Sequence, residues 1–128
     1  MKKTVFLLLA VLLLTACGYA VETEQEALYM NITAQEAKQI MDSGEACIIL
    51  DVRTREEYDQ GHIPGARCFP LDDIACSAEV YIPDKQMQYL IYCRSGRRSK
   101  QAAQILAELG YTDIKEFGGI LDWSYETE

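Results

Sequence analysis

The segment Tyr89-Leu90-Ile91-Tyr92-Cys93-Arg94-Ser95-Gly96-Arg97-Arg98-Ser99 decides how this chain folds. Its first four residues are a continuous apolar run of strand length, which is typical of a strand buried on both faces of a sheet. A short loop containing Gly96 follows, and from Arg97 or Arg98 to Leu109 the apolar residues recur at helical spacing. The segment therefore predicts a strand, a tight loop and a helix, with Cys93 at the end of the strand.

The same alternation of strands and helices continues on both sides of this segment. Residues 47–50 are a second apolar run, ending at Asp51. Two capping boxes, which begin at Thr33 and Thr54, predict helices before and after that run. Further short strands are predicted at residues 67–70 and 114–117. This order indicates an α/β domain with a central, mainly parallel sheet and helices on both faces, whose site lies beyond the carboxyl ends of the strands.

The loop after Cys93 favours a negative charge on its sulfur. Backbone N–H groups, the N-terminus of the next helix and nearby arginines all favour an anion. Such surroundings lower the pKa of a cysteine from about 8.5 to between about 3.5 and 7.5. Gly96 can adopt a positive φ that aims the amides inward, and Ser99 can bond the backbone at the helix start. We therefore expect Cys93 to be a reactive thiolate rather than a buried structural cysteine.

The composition limits the other functions open to this chain. Its 128 residues, 49% of them apolar, suffice for one compact domain. A formal net charge of -8 makes it a poor general binder of nucleic acid. One histidine cannot supply a His-rich metal site, and no metal or organic cofactor is implied. Against this acidic background the arginines and Lys100 of residues 94–100 form one basic spot.

Three other cysteines of the domain have no assigned role. Cys47 lies in a predicted core strand and is expected to be inert, and Cys68 is also expected in the core. Cys76 lies in a polar stretch and is expected to be exposed. The sequence leaves open a disulfide between Cys68 and Cys76 outside the cytoplasm.

The first residues of the chain have the layout of a secretory signal. Lys2 and Lys3 precede an apolar run at residues 5–14, which is shorter than the about 20 residues that span a membrane. The end of the run, Leu14-Thr15-Ala16-Cys17, resembles the bacterial lipobox, although an ordinary secretory peptide is the alternative. We predict a signal peptide at residues 1–16, a lipidated Cys17 with a tether at residues 17–30, and a domain at residues 31–128. The lipid would hold the domain at an extracytoplasmic membrane surface of the cell envelope.

Four motifs of the chain resemble those of single-domain rhodaneses and occur in the same order. They are Leu50-Asp51-Val52-Arg53 followed by Glu56-Glu57-Tyr58, then Gly61-His62-Ile63-Pro64-Gly65-Ala66, then the loop from Cys93 to Ser99, and finally Gly118-Gly119 followed by Trp123. The resemblance implies an α/β fold with a central parallel sheet. It also implies a sulfurtransferase that takes a sulfane sulfur from a donor such as thiosulfate and passes it, as a persulfide, to a thiol or cyanide.

The resemblance assigns roles to residues of the loop and its surroundings. Cys93 is the nucleophile and sulfur carrier. The loop residues expected to bind the persulfide or the donor are Arg94, Ser95, Gly96, Arg97, Arg98 and Ser99. Among the arginines, Arg98 is the first candidate for binding a dianionic donor because it best matches the loop-end position of the family. Asp51, Arg53 and His62 are expected to be structural residues near the site.

Two other functions compete with this interpretation. Cysteine-based phosphatases and arsenate reductases resemble a pattern of Cys, five residues and Arg, whereas four residues separate Cys93 from Arg98 here. This shorter loop suits sulfur better than a tetrahedral phosphate or arsenate. The second alternative is a persulfide carrier or redox binding module that acts with a protein partner. The basic loop beside Cys93 argues against an inactive module.

Overall fold

The computed structural model describes residues 28–128, which form a parallel sheet covered by helices on both faces. In chain order the elements are β1 (Met30–Asn31), α1 (Ala34–Asp42), β2 (Ile48–Asp51), α2 (Arg55–Asp59), β3 (Arg67–Cys68), α3 (Leu71–Tyr81), β4 (Gln88–Cys93), α4 (Arg97–Glu108) and β5 (Asp113–Gly119), followed by a 3-10 turn at Ile120–Asp122. The sheet order is β1-β5-β4-β2-β3, and every neighbouring pair is parallel. The predicted fold class is therefore confirmed.

Strands β2 and β4 lie in the middle of the sheet because their side chains are apolar on both faces. Ile49 pairs with Leu90 and Leu50 pairs with Ile91, and all four side chains are buried. Burying an aliphatic side chain of this size stabilises the fold by about 1.5–3 kcal/mol. The shared register brings the carboxyl ends of the two strands to the same edge of the sheet.

Each face of the sheet has its own hydrophobic core. Helices α3 and α4 contribute Ile74, Ala78 and Leu106 to the core on one face. On the other face, Ala37 of α1 packs in a core that also contains Trp123. Because α4 follows β4 directly and lies along one face, its first turn is held at the carboxyl end of that strand.

Local signals in the sequence set where the helices begin and end. Both capping boxes form: Thr33 Oγ1 accepts a hydrogen bond from the Glu36 N–H at 3.1 Å, and Thr54 Oγ1 accepts one from the Glu57 N–H at 3.2 Å. Helix α4 stops just before Gly110, whose φ of +95° is a conformation that favours glycine. These helix boundaries follow the sequence-based predictions closely.

Two elements differ from what the sequence predicts. Met30, assigned to the tether, and Asn31 pair with β5 as strand β1. Two exposed residues carry no apolar pattern, so nothing in the sequence marked this strand. Helix α3 was not predicted, because it lacks a capping side chain at its start and buries only Ile74 and Ala78.

The N-terminal predictions concern residues that the structure does not describe. The signal peptide at residues 1–16 and the lipidated Cys17 lie outside the described part, so they stay predictions. Within residues 28–128, no helix is long and apolar enough to cross a membrane.

Candidate active site

Cys93 lies at the carboxyl end of β4, where the chain turns into α4. The residue is only 1% exposed. Gly96 ends the turn with a φ of +104°, and its N–H donates a hydrogen bond to Cys93 Sγ at 3.0 Å. The curled loop that Gly96 predicts is therefore present, with a backbone donor aimed at the sulfur.

The surroundings of Cys93 favour its thiolate form. Burial raises the pKa of the thiol, but the hydroxyl of Ser99 and the backbone amides of Ser99, Gly96 and Ser95 lower it more, and the pKa ends below its usual value. Ser99 Oγ lies 3.4 Å from Sγ. The backbone amides among these donors are fixed by the loop and the first turn of α4, so they can stabilise a negative sulfur without reorganising. The arrangement is that of an activated nucleophile.

Gly119 allows the loop to lie against the end of β5. A Cβ atom at this position would overlap the carbonyl group of Arg94. That same carbonyl oxygen accepts a hydrogen bond from the Leu121 N–H at 3.2 Å. Gly119 also pairs with Cys93 across the sheet. Because Gly119 has no side chain, the Arg94 carbonyl can pack against it. This close contact helps to hold the backbone around the sulfur in place.

The three loop arginines have different environments. Arg94 and Arg97 are exposed, whereas Arg98 is half-buried. The Arg98 guanidinium donates two hydrogen bonds to the Glu57 carboxylate of α2, with Nη1 2.6 Å from Oε1 and Nη2 2.9 Å from Oε2. These bonds hold the pKa of Glu57 at about 2. Arg98, the first candidate for donor binding, is therefore already paired, whereas no ion pair among residues 28–128 includes the other two loop arginines, Arg94 and Arg97.

Asp51 and Arg53 form a buried ion pair beside the end of β2. Arg53 Nη2 lies 2.6 Å from Asp51 Oδ2 and also donates to the Gly61 carbonyl at 2.7 Å. The Tyr92 hydroxyl donates to Asp51 at 2.7 Å and accepts from the Ile63 N–H at 3.1 Å. Burial raises the pKa of Tyr92, so its hydroxyl keeps its proton. This network ties the turn at residues 61–63 to β2 and β4, a geometry suited to the structural role expected of Asp51 and Arg53.

His62 lies in that same turn and contacts α2. Its ring stacks on Tyr58 with 3.7 Å between the centroids, and its Nδ1 is 3.0 Å from the Tyr58 carbonyl oxygen. The backbone of His62 exchanges two hydrogen bonds with Glu128, each 2.9 Å long. Through these contacts His62 packs within the turn. In the described part of the chain, none of its hydrogen bonds reaches Cys93.

The remaining cysteines of the described part are free thiols. Cys68 is buried and Cys76 is exposed, as expected, and the disulfide between them that the sequence left open is not formed. Cys47 is half-buried and lies just before β2 rather than inside it. Burial raises the pKa of Cys47 and of Cys68, so neither thiol is activated.

Sequence reasoning missed two carboxylates near the site. Glu57 was recognised as a capping residue and as part of a motif shared with single-domain rhodaneses, and neither indicated the pair with Arg98. Glu116 lies within the short strand predicted at residues 114–117, yet its side chain is buried and accepts a hydrogen bond from Ser99 Oγ at 2.6 Å. The strand contains two charged residues, Lys115 and Glu116, so the sequence offered no signal that Glu116 is the buried one.

No metal site accompanies this arrangement in the described part of the chain. Residues 28–128 contain no group of three or more His, Cys, Asp or Glu side chains placed to hold a metal ion. The chemistry available there is that of an activated thiol, a set of amide donors and two exposed arginines.

Comparison with known proteins finds similar chains. The profile of the rhodanese-like domain family matches residues 33–126. The chain is 41% identical over 73 residues to the thiosulfate sulfurtransferase PspE of Escherichia coli strain K12, covering 57% of this chain and 70% of that one. It is 34% identical over 94 residues to a sulfurtransferase of Allochromatium vinosum, covering 73% and 86%. A solved rhodanese with anions from E. coli has a TM-score of 0.60 and 37% identity, covering 65% of this chain and 98% of that one.

Proposed function

The chain belongs to the rhodanese-like domain family, and we propose that it moves a sulfane sulfur from thiosulfate or a related donor to a thiol or cyanide through a persulfide on Cys93. Its general activity is that of a rhodanese-type sulfurtransferase. The proposal concerns the donor, the acceptor and the covalent intermediate.

The hydrogen bond from the Gly96 N–H to Cys93 Sγ carries this proposal. The thiolate attacks the outer sulfur of thiosulfate, a bond forms between that sulfur and Sγ, and sulfite leaves with the electron pair of the broken sulfur–sulfur bond. The persulfide is again an anion, and the backbone amides of the loop can donate hydrogen bonds to it as they do to the thiolate. A thiolate or cyanide then attacks the outer sulfur, and Cys93 leaves as a thiolate.

The narrow access to Cys93 favours a donor with a terminal sulfur. Only 1% of the residue is exposed, so the reacting atom must reach Sγ at the end of a small molecule. Thiosulfate presents its transferable sulfur in that way, whereas the phosphorus of a phosphate ester is shielded by its oxygens. Arg94 and Arg97 lie at the surface of the loop and would attract the dianion.

The pairing of Arg98 speaks against the phosphatase and arsenate reductase alternatives. Such an enzyme needs the arginine that ends the loop to bind the oxyanion, and here both terminal nitrogens of the Arg98 guanidinium donate to the Glu57 carboxylate. Sulfur transfer does not require that arginine, because the backbone amides of the loop stabilise the negative charge on sulfur. Arg98 would then position the first turn of α4 rather than contact the donor.

A protein thiol is the acceptor favoured by the surface beside the loop. Leu121 is 64% exposed, and its N–H bonds the Arg94 carbonyl, so an exposed apolar residue adjoins the backbone of the Cys93 loop. A persulfide carrier with a protein partner would use such a surface. The predicted lipid on Cys17 would place this exchange at an extracytoplasmic membrane surface of the cell envelope.

A cyanide assay tests the enzymatic part of this proposal. Purified protein, thiosulfate and cyanide should yield thiocyanate and sulfite, and Cys93→Ser should abolish both products. Cys76→Ser is the matched control, because Cys76 is an exposed thiol outside the loop. Hydrolysis of an aryl phosphate without any thiocyanate formation would replace the proposal by the phosphatase alternative.

A further inference from the structure

Glu116 is a buried carboxylate that the reaction described above leaves without a role. It lies in β5 and is 2% exposed. Its Oε1 accepts hydrogen bonds from Ser99 Oγ at 2.6 Å and from the Gly118 N–H at 2.8 Å. None of the ion pairs found among residues 28–128 includes Glu116. A buried carboxylate without a cation is costly unless it is well hydrogen-bonded or carries a proton.

The Ser99 hydroxyl connects Glu116 to Cys93. Ser99 Oγ is 2.6 Å from Glu116 Oε1 and 3.4 Å from Cys93 Sγ. A hydroxyl has a single proton to donate, so Ser99 cannot donate to a carboxylate and to a thiolate at the same time. When it donates to Glu116, Cys93 keeps its proton and the S–H group donates to Oγ. When it donates to a Cys93 thiolate, the proton lies on Glu116 and the carboxylic acid donates to Oγ.

We propose that Cys93 and Glu116 hold one proton between them through Ser99, which makes Glu116 a positioning residue for sulfur transfer. The proton on Sγ passes to Ser99 Oγ while the hydroxyl proton passes to Glu116 Oε1. The thiolate therefore forms with no change in the total charge of the buried site. The functional part of this inference rests on the proposed role of Cys93 as the sulfur carrier.

The other charged groups around Cys93 do not compete for this proton. Arg98 on α4 is paired with Glu57 of α2, and Arg53 after β2 is paired with Asp51. The remaining charges near the loop are exposed and face solvent; they are Arg94, Arg97 and Lys100. Glu116 is the buried carboxylate that a hydrogen-bonded side chain, Ser99, joins to Cys93.

The pH dependence of Cys93 alkylation tests this coupling. Glu116→Gln keeps the size of the side chain, removes the second negative charge and leaves a neutral amide oxygen to accept from the Gly118 N–H and the Ser99 hydroxyl. The midpoint for iodoacetamide alkylation of Cys93, read from the mass of its peptide, should fall by about one pH unit, a tenfold faster reaction at pH values below the midpoint. Glu108→Gln removes an exposed carboxylate of α4 and should leave the midpoint unchanged.

A double-mutant cycle asks whether Glu116 acts through Ser99. Ser99→Ala alone should raise the midpoint, because the thiolate loses a donor. In the Ser99→Ala background, Glu116→Gln should shift the midpoint much less than in the wild type. An equal shift in both backgrounds, or an unchanged midpoint in Glu116→Gln, would overturn the proposal.

A measurement on the wild-type protein covers the case in which Glu116→Gln does not fold. The isotope-labelled carboxyl resonance of Glu116 should change at the pH at which Cys93 alkylation changes. Capping Cys93 as a methyl disulfide should change the pH of that transition. A carboxyl resonance whose transition stays at the same pH after capping would refute the coupling. These measurements use unloaded protein, so they are independent of sulfur transfer. A wild-type protein that shows the coupling and accepts no sulfur would refute the proposed function alone.

Discussion

Arg98 and Glu57 form a two-point ion pair that joins the first turn of α4 to the first turn of α2. The donor–acceptor distances are 2.6 Å and 2.9 Å, and the residues are 41 positions apart in the chain. The pair occupies the arginine at the end of the Cys93 loop and fixes the start of α4. It therefore links the position of the loop to a helix of the opposite core.

The ion pair predicts how stability depends on acid. Hydrogen bonds from Arg98 hold the pKa of Glu57 at about 2, below its ordinary 4.5, so the unfolded chain binds this proton more readily than the folded one. The stabilisation is complete above pH 4.5 and is lost as the pH falls through about 2. Glu57→Gln keeps the capping box and should cost about 1 kcal/mol at neutral pH. Denaturant unfolding should show this difference shrink in acid, and a difference independent of pH would contradict the assignment.

The exposed arginines predict a charge effect on donor binding. Arg94→Ala and Arg97→Ala should each raise the KM for thiosulfate several-fold with little change in kcat, because they attract the dianion without touching Sγ. The effect should weaken as ionic strength rises. Lys85→Ala makes the same charge change before β4, at the opposite end of that strand from Cys93, and should leave KM unchanged. An effect on kcat alone would show that these arginines act in the chemical step instead.

The close packing at Gly119 predicts that even Gly119→Ala, the smallest possible substitution, causes a large loss of activity. Gly119→Ala places a methyl group on the Arg94 carbonyl, so the loop must move and its amide donors leave Sγ. Sulfur transfer should fall by about 100-fold or more, the effect of losing one aligned donor. The control Gly44→Ala lies after α1, has a φ of +82° and has open space around it. It should cost about 1 kcal/mol of stability and leave the activity of the folded protein unchanged.

The buried pair of Asp51 and Arg53 predicts a stability effect that exceeds any catalytic one. Asp51→Ala leaves Arg53 buried without its partner and should cost about 3–5 kcal/mol. Tyr92→Phe removes one hydroxyl from the same network and should cost about 1–3 kcal/mol. The unfolding free energy and the activity of the folded Tyr92→Phe protein should be measured together. Lost activity in a stable Tyr92→Phe variant would assign this network a catalytic role.

The predicted lipoprotein signal has its own test in cells. Cys17→Ser removes the acceptor for the lipid, and the full-length protein should then leave the membrane fraction. Cys76→Ser, a change of the same kind within the domain, should leave membrane retention unchanged. Retention of Cys17→Ser at the membrane would contradict lipid anchoring at this residue.

Much of the fold could be predicted from local patterns. The apolar runs of β2 and β4 and the capping boxes at Thr33 and Thr54 carry their signal within a few residues, so they placed the central strands and two helices correctly. Strand β1 and helix α3 depend on partners distant in the chain. Met30 joins the sheet because β5 offers a free edge, and α3 is held by α4 and the core at Ile74.

The candidate site was only partly predictable for the same reason. The position of Cys93 and the curled loop follow from the adjacent sequence, because Gly96 is three residues away. The partners of Arg98 and Ser99 come from α2 and β5, and sequence spacing says nothing about which carboxylate meets which donor. Arg98 was the first candidate for donor binding because it best matches the loop-end position of the family, and its pair with Glu57 is a tertiary contact that this match did not reveal.

The mass of the protein after incubation with thiosulfate tests the central claim most directly. The persulfide mechanism predicts that wild-type protein gains the mass of one sulfur atom on the peptide that contains Cys93, with release of one equivalent of sulfite. Cyanide should then remove that mass as thiocyanate, and Cys93→Ser should never gain it. Sulfur transfer without any adduct on Cys93, or an adduct that persists in Cys93→Ser, would contradict the account.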